Sequence, residues 1–139
     1  MPARDIYHQV VKQALIKAGW TITHDPYPLA WAKRNLSIDL GAEQLLAAEN
    51  NDRKIAVEVK SFIRESRIAD LEQALGKYTL YYDIAKRTES ERQLYLAILL
   101  NAFTELFEGE NFGQILLDNN RLNLVVFNPK TEEIVQWIA

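Results

Sequence analysis

The segment 55–61 carries the residues best suited to chemistry, and it reads Ile-Ala-Val-Glu-Val-Lys-Ser. Its β-branched residues predict a strand, in which successive side chains point to opposite faces of a sheet. The Ile and Val side chains would then enter the core beneath a helix, whereas Glu58 and Lys60 would lie side by side on the other face. A carboxylate and an ammonium placed there are costly if they are buried without partners.

A second carboxylate, that of Asp39, stands at the end of the predicted first strand, 36–40. In a three-stranded meander the first and third strands both flank the second, so the end of one can lie near the middle of the other. We therefore expect Asp39 to lie against Glu58, within the range of about 4–6 Å over which charges couple strongly. Because two adjacent carboxylates repel each other, a bound divalent cation would relieve the repulsion.

Such a cation would polarise a phosphate oxygen and lower the pKa of a bound water, while Lys60 would orient that water or offset developing charge. Asp39, Glu58 and Lys60 are thus predicted to form a metal-dependent phosphodiesterase site, with the two carboxylates as ligands. The tripeptide Glu-x-Lys by itself favours an ordinary surface ion pair of little energetic value. The earlier Asp, the short intervening hairpin and the long helix that follows shift the interpretation toward a site.

Composition limits the kind of metal and of protein. The chain contains no cysteine and only two histidines, so thiolate sites and His-rich zinc centres are excluded. Mg²⁺ or Mn²⁺, held mainly by carboxylate oxygens, is the expected cofactor. The net charge of −3 argues against a general nucleic-acid binder unless basic residues cluster locally.

Length and hydropathy predict one cytoplasmic domain spanning residues 1–139. No apolar run approaches the roughly 20 residues of a membrane span, and the N-terminus resembles no signal peptide. The patterning predicts an α/β fold, a mixed β-sheet flanked by helices. The predicted elements are a helix at 5–18, a loop at 25–28, strands at 36–40, 44–49 and 54–62, a helix at 66–86, a strand at 93–100, short helices near 104 and 113–117, and strands at 122–127 and 133–138.

This arrangement resembles the PD-(D/E)XK nuclease superfamily, which has a restriction-endonuclease-like fold. Ile38-Asp39 stands at the family's first acidic motif, and Glu58-Val59-Lys60 matches the second. Related families place a Gln and then a Tyr on the next helix, where this sequence has Gln73 and Tyr78. The resemblance therefore implies Gln73 as a further catalytic residue, and Lys77 shares its helix face.

Longer stretches of the sequence resemble the XisH family, the fdxN-element excision controlling factors. The resemblance rests on Ala3 to His8, Gly19 to Pro26, Asp39 to Glu43 and Ala56 to Phe62. It implies a role in excising a DNA element together with a site-specific recombinase and an XisI-like partner protein. It does not by itself imply DNA hydrolysis, because another protein performs the strand exchange in that setting.

Two departures from the superfamily pattern bear on the metal site. Many members carry a Glu in the first helix, whereas here the polar groups are Asp5, His8 and Gln9. Ser37 also stands where the first acidic motif has its variable Pro. Glu43 or Glu49 would be a further oxygen ligand, with no geometric reason to prefer either.

Other polar and aromatic groups have plainer interpretations. His8 is expected to be solvated or hydrogen-bonded, and His24 to hold its loop. Trp20, Trp31 and Trp137 are expected in the core or on a partner surface. A basic patch is expected to bind phosphates only if its members converge near Glu58; they are Lys33, Arg34, Arg64, Arg67, Lys77, Lys86 and Arg87. The segment 101–119 either packs on the sheet or forms an interface.

Three functions remain open at this point. The favoured hypothesis is an excision controlling factor that binds DNA at a divalent-metal site. The first alternative is an active Mg²⁺-dependent DNA endonuclease, and the second is a non-catalytic protein-interaction module. A homodimer would suit work on two DNA strands, although nothing in the sequence requires one.

Overall fold

The computed structural model describes residues 6–31, 33–46, 51–63, 65–88, 92–109 and 112–139. Within them the helices are α1 (His8–Lys17), α2 (Arg67–Arg87), α3 (Leu100–Phe103) and α4 (Phe112–Asp118), with a π-helical segment at Thr104–Gly109. The strands are β1 (Thr21–His24), β2 (Tyr27–Trp31), β3 (Arg34–Ile38), β4 (Leu40–Leu46), β5 (Asn51–Lys60), β6 (Gln93–Leu99), β7 (Leu124–Asn128) and β8 (Glu133–Ile138). No helix in these ranges is both long and apolar enough to cross a membrane.

Six strands form one mixed sheet in the order β1-β4-β5-β6-β7-β8. The central strands β5, β6 and β7 are parallel, and the outer pairs β1/β4, β4/β5 and β7/β8 are antiparallel. Parallel neighbours require crossovers, which contain α2 between β5 and β6 and contain α3, the π-helical segment and α4 between β6 and β7. The predicted mixed sheet with flanking helices is confirmed, and it matches a restriction-endonuclease-like α/β fold.

The two faces of the sheet are covered by different helices. Aromatic contacts join α1 to the face that carries Val57, since Tyr7 packs against Phe127 with ring centroids 6.0 Å apart. On this face Trp137 contacts both Trp20 and Tyr95. Helix α2 covers the opposite face, which is the one that carries Glu58 and Lys60.

Helix α2 forms within one residue of its predicted bounds, 66–86. Ser66 is the N-cap, and its side chain accepts a hydrogen bond from the Ala69 N–H at 3.1 Å. Lys86 and Arg87 lie in the last turn, where cations interact favourably with the helix dipole. The buried apolar residues of this helix are Leu71, Ala74, Tyr78, Tyr81, Ile84 and Ala85. They hold one long face against the sheet and leave the flanking polar face at its surface.

The region before the site differs from the prediction. The predicted loop at 25–28 is wrong in its second half, because Tyr27 and Pro28 belong to β2, which pairs with β3 in a separate two-stranded sheet. Pro28 is tolerated because a strand of such a hairpin leaves one edge without a partner that needs its missing N–H. The predicted meander is therefore also wrong, since β3 leaves the main sheet.

The single strand β4 spans the interval in which the sequence predicts the end of one strand at residue 40 and the start of the next at residue 44. Gly41 is the second residue of β4 and pairs with Ala56, and a Cβ there would lie 3.1–3.2 Å from Tyr27, Arg92 and His24. Close packing, and not a turn, therefore accounts for Gly41.

The sequence predicts a short hairpin connection between the strands 44–49 and 54–62. Asn51 and Asp52 belong instead to β5, where they pair with Leu46 and Leu45, and residues 47–50 lie outside the described residues.

In the segment after β6, the predicted packing on the sheet is confirmed for the first half, and an interface stays a prediction. Phe103, Leu106 and Phe107 are buried in the core, whereas Phe112 and Ile115 are exposed. Gly113 closes this segment tightly, because a Cβ there would overlap the Phe107 ring. The first half of the segment thus packs in the core, and the second half exposes apolar side chains on the surface.

Candidate metal site

Asp39 lies in the bend between β3 and β4, directly opposite Glu58. The register of β4 and β5 pairs Leu40 with Val57, which places the preceding and following residues across from each other. The Asp39 N–H donates to Glu58 Oε1 at 3.2 Å, and the Val59 N–H donates to Asp39 Oδ2 at 2.8 Å. The two predicted ligands therefore lie together because of the β4–β5 register. The three-stranded meander, from which their proximity was expected, is not what brings them together.

The surroundings of Glu58 strongly favour its neutral form. Burial is the largest cause that raises the pKa of Glu58 to about 8, followed by the charge of Asp39 and a hydrogen bond between the two carboxyls. The nearby Lys77 acts in the opposite direction. At neutral pH the Glu58–Asp39 pair thus holds a proton, which relieves the repulsion between the two carboxylates. A bound cation would relieve the same repulsion.

Two residues of α2 reach over the strand that carries Glu58 and Lys60. Lys77 Nζ lies 2.8 Å from Glu58 Oε2, and Lys60 Nζ donates to Gln73 Oε1 at 2.8 Å. The two contacts form together because the spacing of Gln73 and Lys77 along the helix is close to the spacing of Glu58 and Lys60 along the strand. Four residues of a helix span about 6 Å. Two residues of a strand span about 6.7 Å, nearly the same length. Gln73 therefore contacts Lys60 and not the carboxyl pair.

Lys77 is the cation that the structure adds to the predicted set. Its side chain is half exposed. Burial is the largest single influence on the pKa of Lys77 and lowers it, but the charge of Glu58 raises the pKa above its usual value. Lys77 Nζ also lies 5.5 Å from the centre of the Tyr81 ring. Glu58 Oε2 is buried and accepts no hydrogen bond of regular geometry from the described residues, so the ion pair with Lys77 is its main contact.

Asp70 is a further acid beside the site that the prediction missed. Its side chain is 1% exposed, and its Oδ1 lies 3.8 Å from Lys60 Nζ. The sequence feature that could have indicated Asp70 is its position three residues before Gln73, because this spacing places both side chains on one side of α2. Asp70 and Gln73 both contact the ammonium of Lys60, which lies two residues after Glu58 along β5.

The donor set fits a hard divalent cation that keeps part of its water shell. Mg²⁺ is commonly bound by one or two carboxylates with water and phosphate oxygens completing the octahedron, and Asp39 and Glu58 supply two carboxylates. Among the described residues no cluster of three or more His, Cys, Asp or Glu side chains is suited to a metal. Glu43 lies four residues along β4, about 13 Å from Asp39, and it contacts Arg92 and Lys54 instead. Glu49 and Asp5 lie outside the described residues.

The first helix contributes nothing to this face. His8 is buried and its Nε2 lies 2.7 Å from Asp25 Oδ1, while Lys12 Nζ donates to Asp25 Oδ2 at 2.9 Å. Gln9 is exposed. His8 is thus hydrogen-bonded, and it ties α1 to the β1–β2 turn on the opposite side of the sheet from Glu58.

The predicted basic patch does not gather at Glu58. Lys77 contacts this carboxyl, whereas Arg67 pairs with Glu105 at 2.8 Å and Lys86 lies over the Tyr82 ring. Arg87 is exposed at the end of α2, and Arg64 is outside the described residues. The hydroxyl of Tyr78 forms its hydrogen bonds with other residues, because it donates to the Leu94 carbonyl and accepts from the Asn123 N–H.

Comparison with known proteins identifies the family. The family model described as XisH protein matches residues 1–135. The chain belongs to the XisH family. Among solved structures, an fdxN element excision controlling factor from Anabaena variabilis is 36% identical, with a TM-score of 0.84 over 98% of this chain and 100% of that one. An XisH family protein from Nostoc punctiforme is 37% identical, with a TM-score of 0.80 over 97% and 100%. No curated protein matches the sequence.

These matches confirm the XisH resemblance that the sequence motifs indicate. The family model spans nearly the whole chain, and the two crystal structures share its fold along almost its full length. Membership in the wider PD-(D/E)XK superfamily stays a prediction, carried by Asp39, Glu58 and Lys60. The roles of these residues and of Gln73 are likewise predictions that the geometry makes testable.

Proposed function

We propose that this XisH-family chain is a DNA-element excision controlling factor that engages DNA through a divalent cation held by Asp39 and Glu58. The contact between these two carboxyls carries the proposal, because two acidic groups that meet beside the Lys77 ammonium would suit a divalent cation. The similar protein from Anabaena variabilis is described as an fdxN element excision controlling factor, which supports the excision role.

The residues of the chain have separable tasks in this proposal. Asp39 and Glu58 would hold Mg²⁺ or Mn²⁺, which when bound supplies positive charge to a phosphate oxygen. Lys77 would exchange its contact with Glu58 for one with DNA phosphate, since the cation neutralises the carboxylate in its place. Lys60, held by Gln73 and Asp70, presents a second fixed positive charge.

Metal titration with a matched pair of variants tests this proposal. Mn²⁺ binding by calorimetry and DNA binding by fluorescence anisotropy are measured for the wild type, for Glu58→Gln and for Glu72→Gln. Glu72 is an exposed carboxylate on α2, so its variant makes the same Glu-to-Gln substitution away from the pair. We expect Glu58→Gln to abolish metal binding and metal-dependent DNA binding, and Glu72→Gln to retain both. Absence of Mn²⁺ binding by the wild type would refute the metal site.

The second candidate function is Mg²⁺-dependent DNA hydrolysis. It is favoured by one specific observation, the Lys60 ammonium held by Gln73 on the strand that presents Glu58. A plasmid-nicking assay with Mg²⁺ distinguishes the two functions, with Lys60→Gln beside the wild type. Nicking that the variant loses while Mn²⁺ binding persists would establish the endonuclease, and metal binding without nicking would leave the controlling factor.

Partner proteins belong to the same proposal. A site-specific recombinase and an XisI-like protein are the partners that the family resemblance implies. If the chain were only a protein-interaction module, these proteins would bind it equally well after Glu58→Gln, and DNA would not bind at all. Co-sedimentation of the purified proteins with and without DNA separates these cases, and it also reports whether the chain self-associates.

A further inference from the structure

The β2–β3 hairpin has a charge unlike that of the chain as a whole. Residues 26–38 include Lys33 and Arg34 and no Asp or Glu, in a chain whose net charge is −3. Both cations are exposed at the tip of the hairpin, where residue 32 is outside the described residues. The hairpin is therefore a local basic surface of the kind that an acidic chain would need to contact a polyanion.

An aromatic side chain lies beside these cations. Trp31 pairs directly with Arg34 across the hairpin and is 42% exposed, whereas Trp20 is 5% exposed in the core. Cross-strand partners lie on the same face of a hairpin, so the indole and the guanidinium project together. An exposed indole flanked by two cations is the combination that proteins use to contact sugar and base surfaces along a phosphate backbone.

The body of the hairpin is held firmly while its tip projects. Leu29 is 3% exposed, it lies on the same face as Trp31, and β2 packs against α2. The last residue of β3, Ile38, is buried and covalently precedes Asp39. The tip thus stands at a set distance from the carboxyl pair.

This distance suits a DNA duplex. Asp39 comes five residue steps after Arg34, which corresponds to about 17 Å of extended chain. The rise per base pair is about 3.4 Å, so the interval spans about five base pairs. A two-stranded ribbon also has the width that the major groove admits.

We infer that the hairpin tip formed by Trp31, Lys33 and Arg34 is a second DNA contact of this chain. Lys33 and Arg34 neutralise two phosphates, and Trp31 packs on sugar or base surface about five base pairs from the carboxyl pair. The inference rests on the proposed function, because it assumes that DNA contacts a cation held by Asp39 and Glu58.

The salt dependence of DNA binding tests this inference. Affinity for a labelled duplex is measured against salt concentration for the wild type and for two double variants, Lys33→Gln/Arg34→Gln and Arg121→Gln/Lys130→Gln. Both variants remove two exposed cations and change the net charge equally. Loss of two phosphate contacts reduces the slope of log K against log salt by about 1.8. We expect this reduction in the hairpin variant and an unchanged slope in the control.

Tryptophan quenching gives an independent readout in the intact chain. Because Trp31 is the exposed one among the three tryptophans, bound DNA should protect it from acrylamide, and Trp31→Phe should remove the protected signal. Equal slopes in both double variants, or unprotected Trp31 in a bound complex, would overturn the hairpin contact. Binding to anionic lipid vesicles without binding to the duplex would overturn it in favour of a membrane surface.

Failure of the hairpin contact can be told apart from failure of the proposed function. If the wild type binds DNA in a manner that needs Glu58 and metal, but the hairpin variant keeps its slope, only the hairpin contact is refuted. If the wild type binds no DNA, the proposed function itself is refuted.

Discussion

At the scale of single residues, Glu58 has the most unusual surroundings among the acids of the site. Its carboxyl is 4% exposed and is shared between the Asp39 carboxyl, the Asp39 N–H and the Lys77 ammonium. An ordinary structural ion pair would consist of one carboxylate and one cation. Two carboxyls beside one half-exposed lysine leave an excess of acid, which a divalent cation would balance.

Glu58 should make the metal-free protein less stable as the pH rises. Its folded pKa of about 8 lies above the unfolded value of 4.5, so the folded state holds the proton more strongly between these values. The stabilisation is fully present below the unfolded pKa and is lost as the pH rises through the folded one. The free energy of unfolding should fall by up to about 1.4 kcal/mol per pH unit within this window.

Glu58→Gln should remove this pH dependence, because glutamine does not titrate. Urea unfolding of the wild type and the variant, measured in EDTA from pH 5 to about 8, checks the slope. Glu72→Gln is the control and should keep the wild-type slope. An identical slope in Glu58→Gln would mean that Glu58 is already ionised in the folded protein.

At the scale of elements, α2 holds the site together, because it supplies the side chains that contact both functional residues of β5. Asp70 and Gln73 contact Lys60, and Lys77 contacts Glu58. These contacts use successive turns of one helix face, so a small change in how α2 lies on the sheet would separate both pairs together. The position of the helix is therefore as important as the identity of the residues.

Gly76→Ala should stabilise α2. Gly76 lies in the helix interior, and a Cβ there would meet no described atom within 4 Å. Alanine in place of glycine inside a helix gains about 0.5–1 kcal/mol because glycine loses more conformational freedom on folding. Urea unfolding measures the gain. Gly113→Ala is the contrasting variant and should destabilise, since its Cβ would overlap the Phe107 ring.

Tyr78→Phe should loosen α2 from the sheet. The buried Tyr78 hydroxyl donates to the Leu94 carbonyl and accepts from the Asn123 N–H, both at 3.1 Å, next to the first residues of β6 and β7. Phenylalanine leaves the Asn123 N–H without this acceptor, which should lower the free energy of unfolding by about 1–3 kcal/mol. Tyr82→Phe, one turn further along at a partly buried position, should change it by less than about 0.5 kcal/mol. Equal effects of the two variants would contradict this role.

At the scale of the whole molecule, two carboxyl clusters on opposite sides of the sheet act in opposite directions on stability. Burial raises the pKa of Asp25, but hydrogen bonds from Lys12 and His8 lower it further, to below its usual value. This contribution is present above pH 3.8 and is lost as the pH falls through the lowered pKa. The contribution of Glu58 is lost as the pH rises toward 8.

The metal-free protein should therefore be most stable in mildly acidic solution, between about pH 4 and 5.5. Excess Mg²⁺ should move this optimum toward neutral pH, because the cation binds the ionised pair and the folded state alone forms it. Thermal unfolding across this range with EDTA and with Mg²⁺ measures the shift. The same optimum in both solutions would contradict a metal at Asp39 and Glu58.

Local patterns in the sequence determined a large part of this protein. Strand alternation places Glu58 and Lys60 on one face, and apolar spacing predicts α2 within one residue of its observed bounds. The longer motifs also indicate the XisH family, which the comparisons confirm. These features depend on residues a few positions apart, where backbone geometry is nearly constant.

Only the tertiary structure decided how these elements meet. The β4–β5 register places Asp39 opposite Glu58, the path of α2 directs Lys77 to Glu58 and Gln73 to Lys60, and the β2–β3 pairing turns a predicted loop into a hairpin. Asp70 is buried beside Lys60, which approaches it from another element. Register and helix position result from packing among distant segments, and the local sequence constrains such packing only weakly.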